Sequence, residues 1–282
     1  MKYTITTIVT DDMFRFYIPI FVYSARRANP EADIKIFYRG SVPPEIKELC
    51  DCEFIENVFA NYPESGYTTN ALRFLVPPEH FTTKYIYFTD IDFIMLPHKP
   101  SLFEYQRGIL KRTKQMYAGH RGPKKVTKGD GVPMFDGNYT RIAAGAFFCL
   151  TSLLNKFDRP KYLKYVKEGG CDYRSFDEVM LCRMLKKAGQ LIPETKGTFL
   201  NGKLYNIQYR DIHLGDFKFT KRWKNMARMK KKFLTDWNIM EYHKLCREPE
   251  WHNLVKFCSQ DRHIAMYFNA LNKHIEHRGI DG

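Results

Sequence analysis

In the first sixty residues, the pattern of apolar and polar positions is strand-like and helix-like in turn. Residues 3–10 are rich in β-branched side chains and predict a strand, which ends at two aspartates that can cap a helix over residues 14–28. Residues 34–38 and 53–58 predict two more strands, with a short helix opened by the prolines at 43–44 between them. This strand–helix–strand rhythm predicts a parallel sheet covered by helices, in which ligands bind at the carboxyl ends of the strands.

The middle of the chain contains a short unbroken apolar run, residues 85–88, that is typical of a strand buried on both faces. Residues 142–150 predict another buried strand, led by small residues that let a ligand or a neighbouring backbone come close. Residues 120–141 show charges and turn residues with little periodicity, which is typical of a functional loop or of a disordered segment. We interpret them as a mobile loop over the ligand-binding edge of the sheet. Two helices are predicted over residues 151–167 and 175–188, and the chain beyond the basic segment described below is helical to about residue 276.

Length and composition favour a folded globular protein over a disordered one. The chain has 282 residues, 44% of them apolar and 15% aromatic, which suffices for one large α/β domain or for a domain with a helical appendage. Seven cysteines form an odd set without framework spacing, so we expect reduced, mostly buried thiols. The sequence shows neither a signal peptide nor an apolar run long enough to span a bilayer, and a cytoplasmic location is the expectation.

The charge balance is strongly basic, with a formal net charge of +14. Such a balance favours a polyanionic partner: a nucleotide diphosphate, acidic lipid headgroups or nucleic acid. Eight cations fall between residues 218 and 232 without an intervening acid, and aromatic residues follow near-helical spacing as far as Trp237. A basic amphipathic helix of this kind can lie on an anionic membrane surface. The alternative is an ordinary helix that packs its apolar stripe on the domain, and the two are compatible.

Two carboxylates, Asp90 and Asp92, stand directly after the buried run. In an extended segment, residues i and i+2 point to the same side, and neighbouring carboxylates repel each other unless a cation or proton lies between them. Hard divalent ions such as Mg²⁺ and Mn²⁺ prefer oxygen ligands and in enzymes usually hold a substrate phosphate as well. We therefore predict a divalent metal here that clamps a diphosphate. The alternative is that one aspartate caps the next turn while the other is solvated.

Other candidate residues have both a structural and a functional interpretation. Arg73 is either a solvated helix residue or a planar fork for phosphate or for one of the aspartates. Asp177, in the first turn of a predicted helix, is either favoured there by the helix dipole or grips a sugar hydroxyl. His213 would complete an oxygen-rich Mn²⁺ site, although a lone histidine is more often structural. Gly215 allows a close backbone approach to a phosphate, which Lys218 could neutralise.

The order of these motifs resembles the GT-A glycosyltransferases. The segments concerned are Thr10-Asp11-Asp12, Arg73, Asp90-Ile91-Asp92, the Ala-Ala-Gly strand at 143–145, Asp177-Glu178 and His213-Leu214-Gly215-Asp216-Phe217-Lys218. The resemblance covers about residues 3–223 and is closest to family 8, which includes glycogenin, the galactinol synthases and bacterial lipopolysaccharide galactosyl- and glucosyltransferases. It implies an α/β fold with a mostly parallel, Rossmann-like central sheet flanked by helices. We expect this GT-A domain at residues 1–217 and a basic, helical C-terminal segment at residues 218–282, packed on the domain.

The resemblance also implies a retaining transferase that uses Mn²⁺ (or Mg²⁺) and a UDP-sugar, with glucose or galactose favoured, and a glycan or other hydroxyl acceptor. It implies metal ligation by Asp90, Asp92 and His213, and catalytic roles for Asp177, Glu178 and Lys218. Donor binding is implied for Val9, Thr10, Asp11, Phe14, Arg73, Asp90, Ile91, Gly145, Gly215 and Lys218. The basic segment 218–237 is similar to the tail by which bacterial members sit on the inner face of a membrane. Nucleic acid is not expected as a partner.

The sequence departs from the family pattern at two positions that border the donor sugar. Glu178 replaces a glutamine, and Ala143 stands where the family has an asparagine. A different GT-A family with another nucleotide-sugar is therefore an alternative. A haloacid-type phosphohydrolase also places Asp-x-Asp after a strand, but needs a Thr or Val soon after the second aspartate, where this chain has Phe93-Ile94-Met95. A non-enzymatic polyanion or nucleic-acid binder could use the basic helix, but would not need acidic strand ends at a common edge.

Overall fold

The computed structural model describes residues 2–10, 12–62, 70–125, 139–142, 144–168, 176–190, 211–217 and 234–276. Within these residues a six-stranded sheet consists of β1 (Thr4–Val9), β2 (Asp33–Tyr38), β3 (Glu53–Ile55), β4 (Tyr85–Thr89), β6 (Tyr117–Ala118) and β9 (Ala146–Leu150). The strand order across the sheet is β3-β2-β1-β4-β9-β6. The first four strands in this order are parallel, whereas β9 runs antiparallel to both β4 and β6.

Two further strand pairs lie outside the central sheet. They are β5 (Phe93–Ile94) with β10 (Ile212–His213), and β7 (His120–Lys125) with β8 (Tyr139–Ile142), both antiparallel. The described helices are α1 (Ile18–Ala28), α2 (Pro44–Glu48), α3 (Leu102–Thr113), α4 (Thr151–Leu154), α5 (Arg159–Lys167), α6 (Phe176–Lys187), α7 (Asp236–Cys246), α8 (Pro249–Cys258) and α9 (Arg262–Glu276). Short 3₁₀ helices lie at Asp12–Tyr17, Arg73–Leu75, Pro78–His80 and Leu214–Phe217.

A hydrophobic core lies on each face of the sheet, and β4 contributes to both. Tyr85 and Tyr87 belong to the cluster that includes α1 and the C-terminal helices α7–α9, whereas Ile86 and Phe88 belong to the cluster that includes α6. All five residues of β4 are buried. The predicted doubly buried strand, the mostly parallel sheet flanked by helices and the helical C-terminal region are therefore confirmed.

Several predicted boundaries were wrong for local physical reasons. The helix predicted from residue 14 begins as a 3₁₀ turn, and α1 starts only at Ile18 with Pro19 in its first turn, where a missing N–H costs nothing. The third strand stops at Ile55 because Asn57 takes a φ of 58°, which is incompatible with a strand. The helix predicted over residues 151–167 is interrupted, and α5 restarts with a proline in its first turn.

The stretch 120–141 is partly regular, contrary to the irregular loop that was predicted. Its two ends pair as β7 and β8, while residues 126–138 lie outside the described residues. The strand predicted over 142–150 is divided, since a turn at residues 144–145 separates β8 from β9.

The C-terminal helices share their core with the sheet. Ile239, Trp251 and Leu271 lie in the same cluster as Ile5 and Val9. The boundary at 217/218 stays a prediction, because residues 218–233 lie outside the described part of the chain. In the described residues, no helix combines the length and the apolar character needed to cross a membrane.

Candidate active site

The polar strand ends predicted from the sequence meet at one edge of the sheet. Strands β1 and β4 are parallel neighbours, with Thr6 paired to Phe88, so the residues that follow them lie side by side. Asp90 and Asp92 follow β4, and Ile91 between them is buried in the core. Because the intervening side chain points inward, the two carboxylates project to the site together.

His213 reaches this edge from far along the chain. It lies opposite Phe93 in the β5–β10 pair, and its imidazole stacks on the Phe93 ring at 4.7 Å between centroids. The Leu214 N–H donates to the Asp92 carbonyl oxygen at 2.8 Å. His213 Nε2 lies 3.1 Å from Asp92 Oδ1. The structure thereby brings together Asp90, Asp92 and His213, whose possible ligand atoms all lie within 4.8 Å of one another.

Two glycines make room for these ligands. A β-carbon built at Gly145 would lie 2.0 Å from Asp90 Oδ2. One built at Gly215 would lie 2.5 Å from Asp92 Oδ2 and 2.9 Å from His213 Nε2. Distances below 3.0 Å are essentially never observed for real β-carbons, so both carboxylates occupy space that a side chain at either glycine would fill. The close neighbours of both glycines are the side chains of the proposed metal ligands, and the predicted approach of a phosphate to Gly215 stays a prediction.

The residues present fit a hard divalent cation. Two carboxylates and one imidazole form a donor set suited to Mn²⁺, and a bare backbone beneath the carboxylates leaves space for their oxygens. Asp90 and Asp92 would hold the ion with His213 Nε2. If Nε2 binds the metal, the imidazole proton must reside on Nδ1.

Arg73 is the buried cation of the site, with 2% of its surface exposed. Its Nη1 donates to Asp90 Oδ1 and, at 3.1 Å, to the Thr89 carbonyl, while Nη2 donates to Asp177 Oδ2 at 3.1 Å. Its Nε donates to the Asn70 carbonyl at 2.7 Å. Burial acts to lower the pKa of this guanidinium, but Asp90 and Asp177 outweigh it and raise the pKa above its ordinary value. Arg73 therefore stays charged and joins the two carboxylates.

Asp177 lies in the first turn of α6, where the helix dipole favours a negative charge. Its Oδ1 accepts from the Glu178 N–H at 2.9 Å, so its two oxygens face the helix terminus and Arg73 respectively. Glu178 is buried at 8% exposure. Asp177, the acid predicted to contact the sugar, is thus connected to Asp90 through the guanidinium group of Arg73.

The predicted nucleotide segment lies at the end of β1. Val9 is buried, and its carbonyl oxygen accepts from the Arg39 N–H at 3.0 Å. Thr10 is half-buried at the strand end, and Phe14 is half-buried beside Tyr17, with ring centroids 5.9 Å apart. The predictions for Asp11, Ala143 and Lys218 concern positions outside the described residues.

Two tyrosines lie near the acidic cluster, and no local pattern in the sequence predicted them there. Tyr17 and Tyr267 pack at 6.5 Å between ring centroids, the second from α9. Burial raises the pKa of both phenols, and the charge of Asp92 adds to the shift. Both hydroxyl groups therefore stay protonated at neutral pH. Only the aromatic, half-polar character of α9 could have indicated that a C-terminal helix approaches the site.

No protein-family model and no curated protein matches this sequence. Among solved structures, the chain is similar to the galactosyltransferase LgtC in complex with donor and acceptor sugar analogues, at 14% identity and a TM-score of 0.45 over 63% of this chain and 69% of that one. It is similar to the glycosyltransferase GlyE of Streptococcus pneumoniae TIGR4, at 14% identity and a TM-score of 0.48 over 98% of this chain and 64% of that one.

A third similarity is to core-mannan synthase A (CmsA/Ktr4) of Aspergillus fumigatus in its Mn/GDP form, at 8% identity and a TM-score of 0.42, over 63% of this chain and 66% of that one. The chain spans about two thirds of the length of these three proteins. At TM-scores below 0.5 these similarities do not establish a common activity.

Proposed function

We propose that this protein is a metal-dependent glycosyltransferase that moves a hexosyl group from a UDP-sugar to a hydroxyl acceptor. The observation that carries the proposal is the convergence of Asp90, Asp92 and His213 at the carboxyl edge of the sheet, with their ligand atoms within 4.8 Å of one another. Ligands bind at this edge in open α/β sheets. A divalent metal held by these side chains would suit a diphosphate better than a neutral ligand.

A bound Mn²⁺ would neutralise the phosphate charge that develops as the UDP leaving group departs. The residues of the chain would position the two acids and bind the sugar and the nucleoside. Arg73 is engaged by Asn70, Thr89, Asp90 and Asp177, so it holds the two acids at a fixed separation. In this arrangement Asp177 can accept a hydrogen bond from a sugar hydroxyl, while the strand end at Thr10 and Phe14 offers a half-buried surface for the uracil and ribose.

Finer features belong to the same proposal. Glucose or galactose is the proposed sugar, transferred with retention of configuration to a glycan or another hydroxyl acceptor. Lys218 is proposed to neutralise the diphosphate, and Glu178 to border the sugar. The protein would act in the cytoplasm, with the basic segment 218–237 in peripheral contact with an anionic membrane. Trp237, at the end of this segment, also contacts the rest of the protein: its ring stacks on that of His98 at 4.9 Å between centroids.

Thermal unfolding with UDP and Mn²⁺ tests the proposal. For the wild type at ~100 times the Kd, ligand linkage of about 2.7 kcal/mol predicts a rise in Tm of about 5 °C when both are present. UDP without Mn²⁺ should give little shift. Asp92→Ala should remove the joint effect and the Mn²⁺-dependent turnover of UDP-glucose or UDP-galactose, while the far-ultraviolet circular dichroism stays unchanged. Glu45→Ala, which removes an exposed carboxylate on α2, is the matched control and should behave as wild type.

An equal UDP shift with and without Mn²⁺ would count against the metal clamp. Full turnover by Asp92→Ala in EDTA-treated protein would refute it. Steeply salt-dependent oligonucleotide binding without any UDP effect would instead favour the polyanion-binding alternative.

A further inference from the structure

The strand pair that delivers His213 is too short to hold itself in register. Strands β5 and β10 contain two residues each, with Ile212 opposite Ile94 and His213 opposite Phe93. Two-stranded pairs are marginal in water even when they are longer. The Leu214 N–H bond to the Asp92 carbonyl extends the ladder on one side of His213. A corresponding support is needed on the other side, towards residue 211.

Asp211 supplies that support with its side chain. Its Oδ1 accepts from the Leu96 N–H at 2.9 Å, across the gap between the segment that follows β5 and the segment that precedes β10. The carboxylate is 2% exposed. It therefore continues the ladder where the backbone pairing ends.

The same oxygen also binds an imidazole. His98 Nε2 lies 3.0 Å from Asp211 Oδ1, and because a carboxylate only accepts, this nitrogen is the donor. The His98 ring stacks on Trp237 at 4.9 Å and 27°, and Trp237 lies in the first turn of α7. Asp211 thus fixes β10 to two points of the segment after Asp92, and one of these points is packed against the C-terminal helices.

We propose that Asp211 is a positioning residue for the metal centre, acting through the Leu96 amide and His98 to hold His213 beside Asp92. This inference rests on the proposed metal-dependent function. It assigns to Asp211 no contact with metal or substrate. Its loss should let His213 move relative to Asp90 and Asp92, so Mn²⁺ affinity should fall although all three ligands remain.

The test is direct Mn²⁺ binding to the full-length protein, measured from the electron paramagnetic resonance signal of free Mn²⁺ in titrations without nucleotide. Asp211→Ala should raise the Kd for Mn²⁺ about 10-fold, the lower end of what outer-sphere substitutions cost metal sites. Asp211→Asn keeps an oxygen that can accept both hydrogen bonds and should stay within about 2-fold of wild type. His98→Phe keeps a ring against Trp237 but loses the nitrogen, and should raise the Kd about 3-fold.

A control variant separates positioning from general loss of stability. Thr4→Val removes the buried hydroxyl contact to Thr83 at 2.7 Å, at the opposite edge of the sheet from the metal ligands. It should lower the Tm and leave the Kd for Mn²⁺ unchanged.

The possible outcomes distinguish the two proposals. If the wild type binds Mn²⁺ and Asp211→Ala binds it equally well, the positioning role is overturned while the proposed function stands. If Asp211→Ala does not fold, a His98→Phe variant with unchanged Mn²⁺ affinity overturns the role in the same way. If the wild type binds no Mn²⁺, both proposals fall. A raised Kd in Thr4→Val, comparable to that of Asp211→Ala, would show that the effect follows stability rather than position.

Discussion

The contact between Gly145 and Asp90 gives the sharpest test of the site. Replacing Gly145 by alanine adds one methyl group and changes no charge and none of the three proposed metal ligands. The new β-carbon would lie 2.0 Å from Asp90 Oδ2 and 2.8 Å from its Cγ, whereas ordinary contact begins at 3.4 Å. The clash is with the carboxylate itself, so Asp90 or the turn that carries Gly145 must move.

The required movement is about 1.4 Å, from 2.0 Å to ordinary contact at 3.4 Å. Productive site geometry tolerates displacements of roughly 0.5 Å, and a misplacement of about 1 Å can lower activity by about 10²-fold. Asp90 is also bound to Arg73, which limits the directions in which it can retreat. We expect Gly145→Ala to lower kcat/KM for a UDP-sugar by at least about 100-fold.

The assay compares three proteins in Mn²⁺ titrations and in donor turnover. Gly40→Ala is the matched control, since its β-carbon would meet only the Tyr38 ring at 3.8 Å. It should bind Mn²⁺ and turn over donor as the wild type does. Gly145→Ala should bind Mn²⁺ more weakly and remain folded by circular dichroism. Wild-type Mn²⁺ affinity and turnover in Gly145→Ala would refute the inference that bare backbone at this position sets the place of Asp90.

Two further predictions concern buried groups. Arg73→Met leaves Asp90 and Asp177 without their shared cation, and because both carboxylates keep some solvent contact we expect the free energy of unfolding in urea to fall by about 2–4 kcal/mol. Arg26→Met is the control, since its partner Asp51 is exposed, and should lower this free energy by about 0–1 kcal/mol; equal losses would contradict the role of Arg73. Burial raises the pKa of the Cys258 thiol from its ordinary value of 9.0 to about 12, so its contribution to stability is complete below pH 9 and is lost as pH rises towards 12. Between pH 8 and 10 the free energy of unfolding of Cys258→Ala should therefore fall by about 1 kcal/mol less than that of the wild type. The same pH dependence of this free energy in both proteins would contradict the prediction.

Local patterns in the sequence were sufficient for the elements that place the site. The apolar run at residues 85–88 predicted a strand buried on both faces, and the aspartates two residues apart were expected to share a point. In the structure, Ile91 turns into the core and the two carboxylates stay together. The small residues before β9 predicted the close approach of a ligand or a neighbouring backbone, and Gly145 instead lies against the side chain of Asp90.

Interactions between distant segments were not readable from the sequence. The β5–β10 pair contains two residue pairs and carries no periodicity of its own, so nothing local indicated that Asp211 would bind the Leu96 amide. Arg73 was interpreted either as a solvated helix residue or as a fork for phosphate or for one of the aspartates. The solvated interpretation is wrong, because Arg73 is buried, and its contact with both Asp90 and Asp177 depends on the packing of α6. The two ends of the irregular stretch at 120–141 paired because strand pairing depends on the partner as much as on local propensity.

The pairing of β10 with β5 has a consequence for the growing polypeptide. Asp92 and His213 are 121 positions apart, so at about 5–20 residues per second the second ligand leaves the ribosome roughly 6–24 s after the first. The Leu214–Phe217 turn packs on α9, which is synthesised after it. During this interval of translation Asp90 and Asp92 are present without His213, so the proposed ligand set is complete only after the residues of β10 have been synthesised.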